Sequence, residues 1–214
     1  MGVRVGRGLA AVGAGYLLGS IPIGLIAGRL AAGVDVRKFG SRVSGATNVL
    51  RAAGPGAAAA TFGMDTAKGY LAARAGERLA AGEGAVLGAM AAAVGHSWPL
   101  FAGFRGGRSV LTCLGSLLAI DPAAGGSAAV AGAGTALLTR YSSLGALTGV
   151  ITAAVVSQLE PAPRPRRGPV FSLFATAFLL ARHRENLERL RRGEERRLGE
   201  RIRVGSPDRV GTGA

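Results

Sequence analysis

The chain has 214 residues, of which 49% are hydrophobic and only 18% are charged, and its mean hydropathy is +0.33. These values exclude an ordinary soluble globular domain, in which about a quarter of the residues are charged, and favour an integral membrane protein with several spans. A net charge of +14 would suggest nucleic-acid binding in a soluble protein. Arginine-rich cytoplasmic loops explain the charge better in a membrane protein, so we expect no nucleic-acid partner.

Seven apolar segments follow one another along the chain, and each is expected to be helical because an open strand leaves its backbone unpaired in lipid. They cover approximately residues 8–29, 52–73, 83–101, 109–120, 125–139, 144–159 and 169–182. The predicted fold is therefore an all-α membrane protein with about seven transmembrane helices, whose 36 glycines allow close helix contacts. Residues 1–190 are predicted to form one polytopic membrane domain, and residues 191–214 a basic cytoplasmic tail that is partly disordered.

The basic residues predict an orientation in the membrane. If the N-terminus lies outside, the inside loops and the tail hold 18 of the 26 lysines and arginines. The positive-inside rule then favours an outside N-terminus and a cytoplasmic C-terminus. One cluster, Arg164, Arg166 and Arg167, lies outside in this arrangement and counts against it. The three prolines between positions 161 and 165 indicate a stiff loop there.

The first notable polar stretch, residues 39–51, lies between the first two apolar segments. Its glycines permit tight turns, and Thr47 or Asn48 could cap the helix that carries Arg51 one turn later. The N-terminal end of such a helix is a natural anion site. An ordinary inter-helix loop with an interfacial arginine is about equally compatible with the composition. The hydroxyl and amide side chains of the stretch are those of Ser41, Ser44, Thr47 and Asn48, and its basic residues are Arg42 and Arg51.

A second polar stretch, residues 95–109, combines aromatic, glycine and arginine residues. Arg105 and Arg108 flank a diglycine and could approach one anion from two sides. Trp98 is interpreted as an interfacial anchor. His96 is either a buried hydrogen-bonding residue or an acid or base, and the sequence does not decide between these roles.

Three weaker polar features complete the pattern. Asp65 and Lys68 lie three residues apart within an apolar segment, where a structural ion pair is favoured over a substrate-facing role. Residues 140–144 form a short turn with one basic and three hydroxyl side chains. His183 and Asn186 share one helical face just after the last apolar segment, and alone they would be unremarkable surface residues.

Several familiar mechanisms are excluded by the sequence. Two histidines and one cysteine cannot form a zinc cluster of the usual kind, and no Walker sequence is present. Soluble-type lipid acyltransferases often use a histidine followed five positions later by aspartate, but Phe101 and Glu188 occupy those places after His96 and His183. Any acyl transfer must therefore use a strongly activated donor, and no cofactor or metal is expected.

The order and spacing of these features resemble the bacterial acyl-phosphate:glycerol-3-phosphate acyltransferases, small membrane enzymes of phospholipid biosynthesis. The resemblance covers nearly the whole chain and is carried by residues 19–24, 39–51, 65–69, 95–108, 140–144 and 183–190. It implies an acyltransferase domain that moves a fatty acyl group from acyl phosphate to the 1-hydroxyl of glycerol 3-phosphate, giving lysophosphatidic acid and phosphate. It also implies a multi-pass protein of the bacterial plasma (inner) membrane, monomeric and in contact with membrane lipid.

The resemblance further implies roles for individual residues. The residues expected to take part in catalysis are Ser41, Thr47, Asn48, Arg51, Ser143 and His183. The residues expected to bind substrate are Arg105, Gly106, Gly107, Arg108, Ser142 and Asn186. The donor's own phosphate would accept the proton, so no protein base is required, and the acyl chain would reach the site laterally between helices.

The chain departs from the family's pattern at a few positions. Arg42 and Val43 stand where the family has glycine and asparagine, and Ser109 replaces another glycine. A glycine is thus lost where the backbone could need a positive φ. Arg105 and Arg108 replace lysines, which keeps the charge but changes the hydrogen-bond geometry.

These departures leave an alternative function open. The chain could be a divergent non-catalytic or altered-substrate paralogue that binds a phospholipid or a phosphorylated metabolite. Ordinary acyltransferase activity is nevertheless favoured. A small transporter is disfavoured, because the polar groups gather at one membrane face rather than along a central path.

Overall fold

A computed structural model describes residues 2–159 and 167–200. Throughout these residues the regular elements are helical, so the predicted all-α fold is confirmed. The helices are α1 Gly2–Gly19, α2 Ile23–Ala32, α3 Ala46–Ala53, α4 Pro55–Ser97, α5 Val110–Ile120, α6 Pro122–Thr139, α7 Ser142–Leu159, α8 Arg167–Arg182 and α9 Arg184–Arg191, with short 3-10 helices at Val36–Lys38 and Leu100–Ala102. The predicted proline loop before residue 167 and the end of the predicted tail, residues 201–214, lie outside the described residues.

Each of the seven predicted apolar segments is helical over most of its length. Three helical stretches are long and apolar enough to cross a membrane, judged by length and composition: Gly2–Ala32, Pro55–Ala102 and Ser142–Leu159. The protein is thus built from apolar helices, as the sequence predicts. The number of seven spans and the orientation stay predictions.

Two helix breaks differ from the predicted segments. The first predicted segment is divided between α1 and α2, because Pro22 cannot donate a backbone hydrogen bond to continue the helix. The second and third predicted segments belong instead to α4, which has non-helical dihedral angles at Ala80 and Ala81. The chain turns back at this break, and a methyl group on Gly76 would overlap the backbone of Gly84.

Small residues allow several other helix pairs to pack closely. A methyl group on Gly15 of α1 would overlap the backbone of Gly88 in α4, and one on Gly69 of α4 would overlap the backbone of Thr112 in α5. Contacts of this kind hold helices together in lipid, where apolar burial alone gives little driving force. The expectation that glycines lie at helix contacts is confirmed at these positions.

A hydrophobic core joins α4, α5, α6, α7 and α8 around the buried side chains of Leu117, Phe171 and Leu179. On the outer surface of α6, by contrast, Leu137 and Leu138 are 76% and 88% exposed. Exposed apolar surface of this kind is unfavourable in water and suits contact with lipid.

Asp65 and Lys68 form the predicted ion pair, with Lys68 Nζ 2.8 Å from Asp65 Oδ1 and both side chains buried. Lys68 Nζ also donates a hydrogen bond of 3.0 Å to the Ile21 carbonyl. That carbonyl lies in the break between α1 and α2, so the ion pair satisfies a backbone group that the break leaves without a helical partner.

Candidate active site

A cavity of about 950 Å³ lies between the loop before α3, the start of α5, the start of α7 and the turn from α8 to α9. The structure brings most of the predicted site residues to its wall, although they come from distant parts of the sequence. The predicted residues that line it are Ser41, Thr47, Asn48, Arg51, Arg108, Ser142, Ser143, His183 and Asn186. The predicted residues Arg105, Gly106 and Gly107 are not part of the wall.

Asn48 organises the loop on one side of the cavity. Its side chain is almost fully buried, and Oδ1 accepts a hydrogen bond of 3.1 Å from the Ser41 backbone N–H. Its Nδ2 donates to the carbonyls of Val36, Phe39 and Val43 at 2.8, 3.2 and 2.8 Å. The amide is therefore occupied by backbone groups and positions the loop, and the catalytic role of Asn48 stays a prediction.

The helix that carries Arg51 begins differently from the prediction. Its N-cap is Gly45, in an extended conformation and without a side-chain cap hydrogen bond. Thr47 and Asn48 lie inside α3, so the predicted cap by either of them is wrong. The side chain of Asn48 instead turns toward the preceding loop, where it donates to the carbonyls of Val36 and Val43.

Arg51 and Arg108 supply positive charge to the cavity. Arg51 Nη2 donates to the carbonyls of Arg196 and Arg197 at 3.4 and 3.2 Å, and its buried Nε has no hydrogen-bond partner within the described residues. Burial lowers the pKa of Arg51. Burial also lowers the pKa of Arg108, to about 10, with nearby Arg189 acting in the same direction. Both guanidinium groups stay charged near neutral pH and can bind an anion.

Glu195 completes the opposite side of the cavity, and the sequence analysis missed it. Its carboxylate accepts hydrogen bonds from Ser143 Oγ at 2.9 Å, Asn186 Nδ2 at 2.6 Å and Arg189 Nε at 2.9 Å. Burial acts to raise the pKa of Glu195, but these hydrogen bonds outweigh burial and lower it. Glu195 lies in a basic segment that was predicted to be a surface tail. Nothing in the neighbouring sequence indicated that its carboxylate contacts the cavity.

The segment that carries Glu195 lies against the cavity rather than apart from the domain. The backbone N–H of Leu198 donates to the Arg140 carbonyl at 2.6 Å, and Arg140 Nη2 donates back to the Leu198 carbonyl at 3.0 Å. Residues 192–200 therefore contact the turn before α7. These contacts cross the predicted domain boundary after residue 190. That boundary stays a prediction.

His183 lies at the start of α9 and is buried. Its Nδ1 is 2.8 Å from the Leu179 carbonyl. Because a carbonyl oxygen only accepts, Nδ1 carries the proton and Nε2 is left as an acceptor. Burial lowers the pKa of His183 to about 4; the hydrogen bond to Leu179 opposes this shift, and the charge of Arg108 adds to it. The imidazole is therefore neutral near pH 7.

The lowered pKa of His183 predicts a pH-dependent stability. The unfolded chain binds a proton on this residue below its ordinary pKa of 6.5, whereas the folded chain does so only near 4. The free energy of unfolding should therefore fall with pH from 6.5 toward 4, by up to about 1.4 kcal/mol per pH unit. Thermal unfolding of detergent-purified protein between pH 7 and pH 5, compared with His183→Gln, isolates this contribution. Identical pH slopes in the two proteins would contradict it.

The protein-family model for glycerol-3-phosphate acyltransferase matches residues 9–193 of the chain. The chain belongs to the glycerol-3-phosphate acyltransferase family. A curated glycerol-3-phosphate acyltransferase from Synechococcus elongatus is 44% identical over 200 residues, covering 87% of this chain and 92% of that protein. One from Symbiobacterium thermophilum is 45% identical over 185 residues, covering 86% of this chain and 92% of that protein.

Solved structures from the family have the same fold. The crystal structure of PlsY (YgiH), an integral membrane glycerol 3-phosphate acyltransferase, in its glycerol 3-phosphate form has a TM-score of 0.83 and 34% identity. The aligned region covers 90% of this chain and 96% of the PlsY chain. Its lysophosphatidic acid form has a TM-score of 0.80 and 34% identity, covering 89% of this chain and 94% of that chain.

The departures of this chain from the family's pattern coincide with unusual backbone. Arg42 has a φ of 57° and Ser109 a φ of 65°, in the left-handed region that favours glycine. The expectation that a glycine is lost at a position of positive φ is confirmed for Arg42. Ser109 has compensating contacts, because its Oγ donates to the Ala93 carbonyl at 2.6 Å and lies 2.9 Å from Ser97 Oγ.

Replacing Arg42 with glycine is expected to stabilise the fold by up to about 1 kcal/mol, because glycine adopts positive φ without a Cβ clash. Ser109→Gly is the matched control, since it relieves a similar φ but also removes two buried hydrogen bonds. We expect this control to be destabilising by about 1 kcal/mol or more. Melting temperatures in one detergent measure both changes, and a lower value for Arg42→Gly than for the unmodified chain would contradict the expectation.

The position of the second polar stretch corrects one prediction. Arg105 is exposed and does not line the cavity, so it does not approach an anion there from the side opposite Arg108. The glycines between them have a packing role, because a methyl group on Gly106 would overlap the His96 carbonyl and one on Gly107 would overlap the His96 imidazole. Of the predicted arginine pair, the structure brings only Arg108 to the site.

Proposed function

We propose that this protein transfers a fatty acyl group from acyl phosphate to the 1-hydroxyl of glycerol 3-phosphate, producing lysophosphatidic acid and inorganic phosphate. Family membership supports acyl transfer to glycerol 3-phosphate. The observation that carries the proposal is the cavity itself, which combines partly buried cationic groups and hydroxyls with an apolar wall. Such a cavity suits two phosphorylated head groups and one acyl chain.

The reaction requires little covalent chemistry from the protein. The hydroxyl oxygen of glycerol 3-phosphate attacks the acyl carbon, the bond from that carbon to the phosphate oxygen breaks, and the departing phosphate takes the hydroxyl proton. Acyl phosphate is a mixed anhydride, so phosphate leaves readily. The protein mainly has to orient both substrates and to stabilise charge, and Arg51 and Arg108 are placed for that role.

The polar wall suggests how the head groups are divided. Ser41, Thr47 and Arg51 lie on the side formed by the first loop and α3. Ser143, Asn186 and His183 lie on the side formed by α7 and the turn into α9. We assign one phosphate to each side, which places the donor's acyl carbon between them. Ser143 and Asn186 already bond to Glu195, so these contacts orient the second side.

An apolar part of the wall provides a route for the acyl chain. Phe62 of α4, Val110 and Leu111 of α5, and Ala146 of α7 line the cavity, and Phe62 is 52% exposed on the outer surface. We propose that the chain reaches the site from the lipid past these residues. The site then joins the membrane to the water-soluble substrate, as expected for a multi-pass protein of the bacterial plasma membrane.

The loop geometry favours activity over the non-catalytic alternative. Despite Arg42 and Val43, the first loop is closed by hydrogen bonds from Asn48 to three carbonyls, including that of Val43. Ser41 and Arg51 remain at the cavity wall. The altered positions therefore do not remove the groups that the proposed reaction uses.

The test is turnover by the purified protein. The chain is reconstituted as a monomer in lipid nanodiscs and supplied with palmitoyl phosphate and glycerol 3-phosphate, and both lysophosphatidic acid and released phosphate are measured. Equal amounts of the two products are expected. If the Synechococcus elongatus relative is active in parallel and this chain yields neither product, the proposal fails. Activity that appears only after Arg42→Gly and Val43→Asn together would support the non-catalytic alternative.

A further inference from the structure

The peptide unit of Gly107, next to Arg108, is held from two directions. The Gly107 N–H donates to the His96 carbonyl at 3.0 Å, and the Gly107 carbonyl accepts from Arg182 Nη2 at 3.2 Å. The glycine also lies against the His96 imidazole so closely that a methyl group would overlap Nε2. Both backbone groups and the one open face of this residue are therefore occupied.

His96 is itself buried next to charged groups. The imidazole is 6% exposed, and its Nδ1 lies 3.5 Å from Asp65 Oδ1. Asp65 is paired with Lys68, which bonds to the Ile21 carbonyl at the break between α1 and α2. Burial among these groups therefore limits the movement of the His96 ring. The proposed reaction assigns no chemical step to these three side chains.

Arg182 is fixed by an aromatic ring. Its guanidinium carbon lies 4.8 Å from the centroid of the Trp98 ring, within the range of a cation–π contact. Trp98 in turn packs edge-on against Phe178 of α8, with ring centroids 5.9 Å apart. The planar guanidinium is thus held by its stacking, and one of its N–H groups is directed at the Gly107 carbonyl.

We propose that His96 and Arg182 form a clamp on Gly107 that sets the position of the Arg108 guanidinium in the cavity. Both are positioning residues that act through Arg108. This inference rests on the proposed function, because it assumes that Arg108 binds a substrate phosphate. An arginine on a glycine-rich loop would otherwise adopt many orientations, and holding the adjacent peptide reduces the entropy lost when the anion binds.

A direct contact of Arg182 or His96 with the substrate is the competing explanation, because both residues also line the cavity. The two explanations differ in how substitutions combine. If Arg182 or His96 acts through Arg108, replacing it causes no further loss of affinity once Arg108 has been replaced. If either residue binds the anion itself, its loss of affinity multiplies with the loss caused by replacing Arg108.

The experiment measures dissociation constants of glycerol 3-phosphate and of inorganic phosphate by calorimetry on the full chain in detergent. The single variants are Arg182→Met, His96→Ala and Arg108→Gln, and each of the first two is also combined with Arg108→Gln. Arg182→Lys tests rescue, since an ammonium can still donate to the Gly107 carbonyl. Arg191→Met is the control, because Arg191 is exposed and outside the cavity.

We expect Arg182→Met and His96→Ala each to raise at least one of the two dissociation constants about tenfold, as for other coupled positioning groups. In the Arg108→Gln background the same changes should have an effect below about twofold, and Arg182→Lys should recover most of the affinity. Multiplying effects, or a similar loss from Arg191→Met, would overturn the inference.

The affinity of the wild-type protein for the two anions distinguishes failure of the clamp from failure of the proposed function. If the wild-type protein binds either anion and Arg182→Met and His96→Ala leave both constants unchanged, the clamp is wrong and the proposed function stands. If the wild-type protein binds neither anion and gives no turnover, the proposed function is overturned and the clamp with it. If Arg182→Met only lowers the melting temperature, the residue is structural and the clamp is rejected.

Discussion

Arg51→Gln is expected to lower kcat/KM for acyl transfer about a hundredfold or more, which is the usual cost of removing one preorganised donor at a site of developing charge. The Arg51 guanidinium lies in the cavity wall and is oriented by two carbonyls of the segment after α9. Its buried Nε remains without a partner among the described residues. Glutamine removes the positive charge and cannot reach both the tail carbonyls and the anion.

The measurement is steady-state kinetics with each substrate varied in turn, in the same nanodiscs as the unmodified protein. Arg105→Gln is the matched control, because it makes the same chemical change at an exposed position outside the cavity. We expect its kcat/KM within about twofold of the unmodified protein, since surface changes away from a site usually have little effect. Equal losses from Arg51→Gln and Arg105→Gln would show that net charge, rather than the cavity, governs activity.

Much of the fold follows from apolar patterning, because lipid forces each apolar segment to satisfy its own backbone. The segment predicted at 144–159, for example, lies within α7 Ser142–Leu159. The positions of the helix breaks were less predictable. Ala80 and Ala81 carry no sequence signal for a turn, and the chain turns back there because the small residues on either side allow close packing.

The site was predictable where side chains come from polar stretches with unusual composition. Ser41, Arg51, Arg108 and His183 meet at one cavity, as the sequence suggested. The role of Asn48 was not predictable, because its amide is used by carbonyls whose positions depend on the folded loop. The sequence also did not indicate that Arg108 lines the cavity and Arg105 does not. The packing of the intervening glycines on His96 decides which of the two side chains faces the cavity.

Glu195→Ala is expected to destabilise the folded protein by about 2–4 kcal/mol, because it leaves buried donors without an acceptor and breaks an ion pair. The carboxylate is 7% exposed and lies 2.9 Å from Arg189 Nε, and it also accepts from Ser143 and Asn186. The melting temperature in detergent should fall by about 5–10 °C. Activity should fall with it, because Ser143 and Asn186 lose the group that orients them.

Glu194→Ala is the control for this effect, because it removes the same charge from the exposed neighbouring residue and should change the melting temperature by about 1 °C or less. The pH dependence gives a second check. The pKa of Glu195 is lowered in the folded protein, so its stabilising contribution is present above its ordinary pKa of about 4.5 and is lost as the pH falls through the folded value. The difference in melting temperature between the unmodified protein and Glu195→Ala should therefore be largest at pH 7 and should decrease below about pH 4.5. A difference in melting temperature that stays constant down to pH 3 would mean that the side chain stabilises the site through its shape and not through its charge.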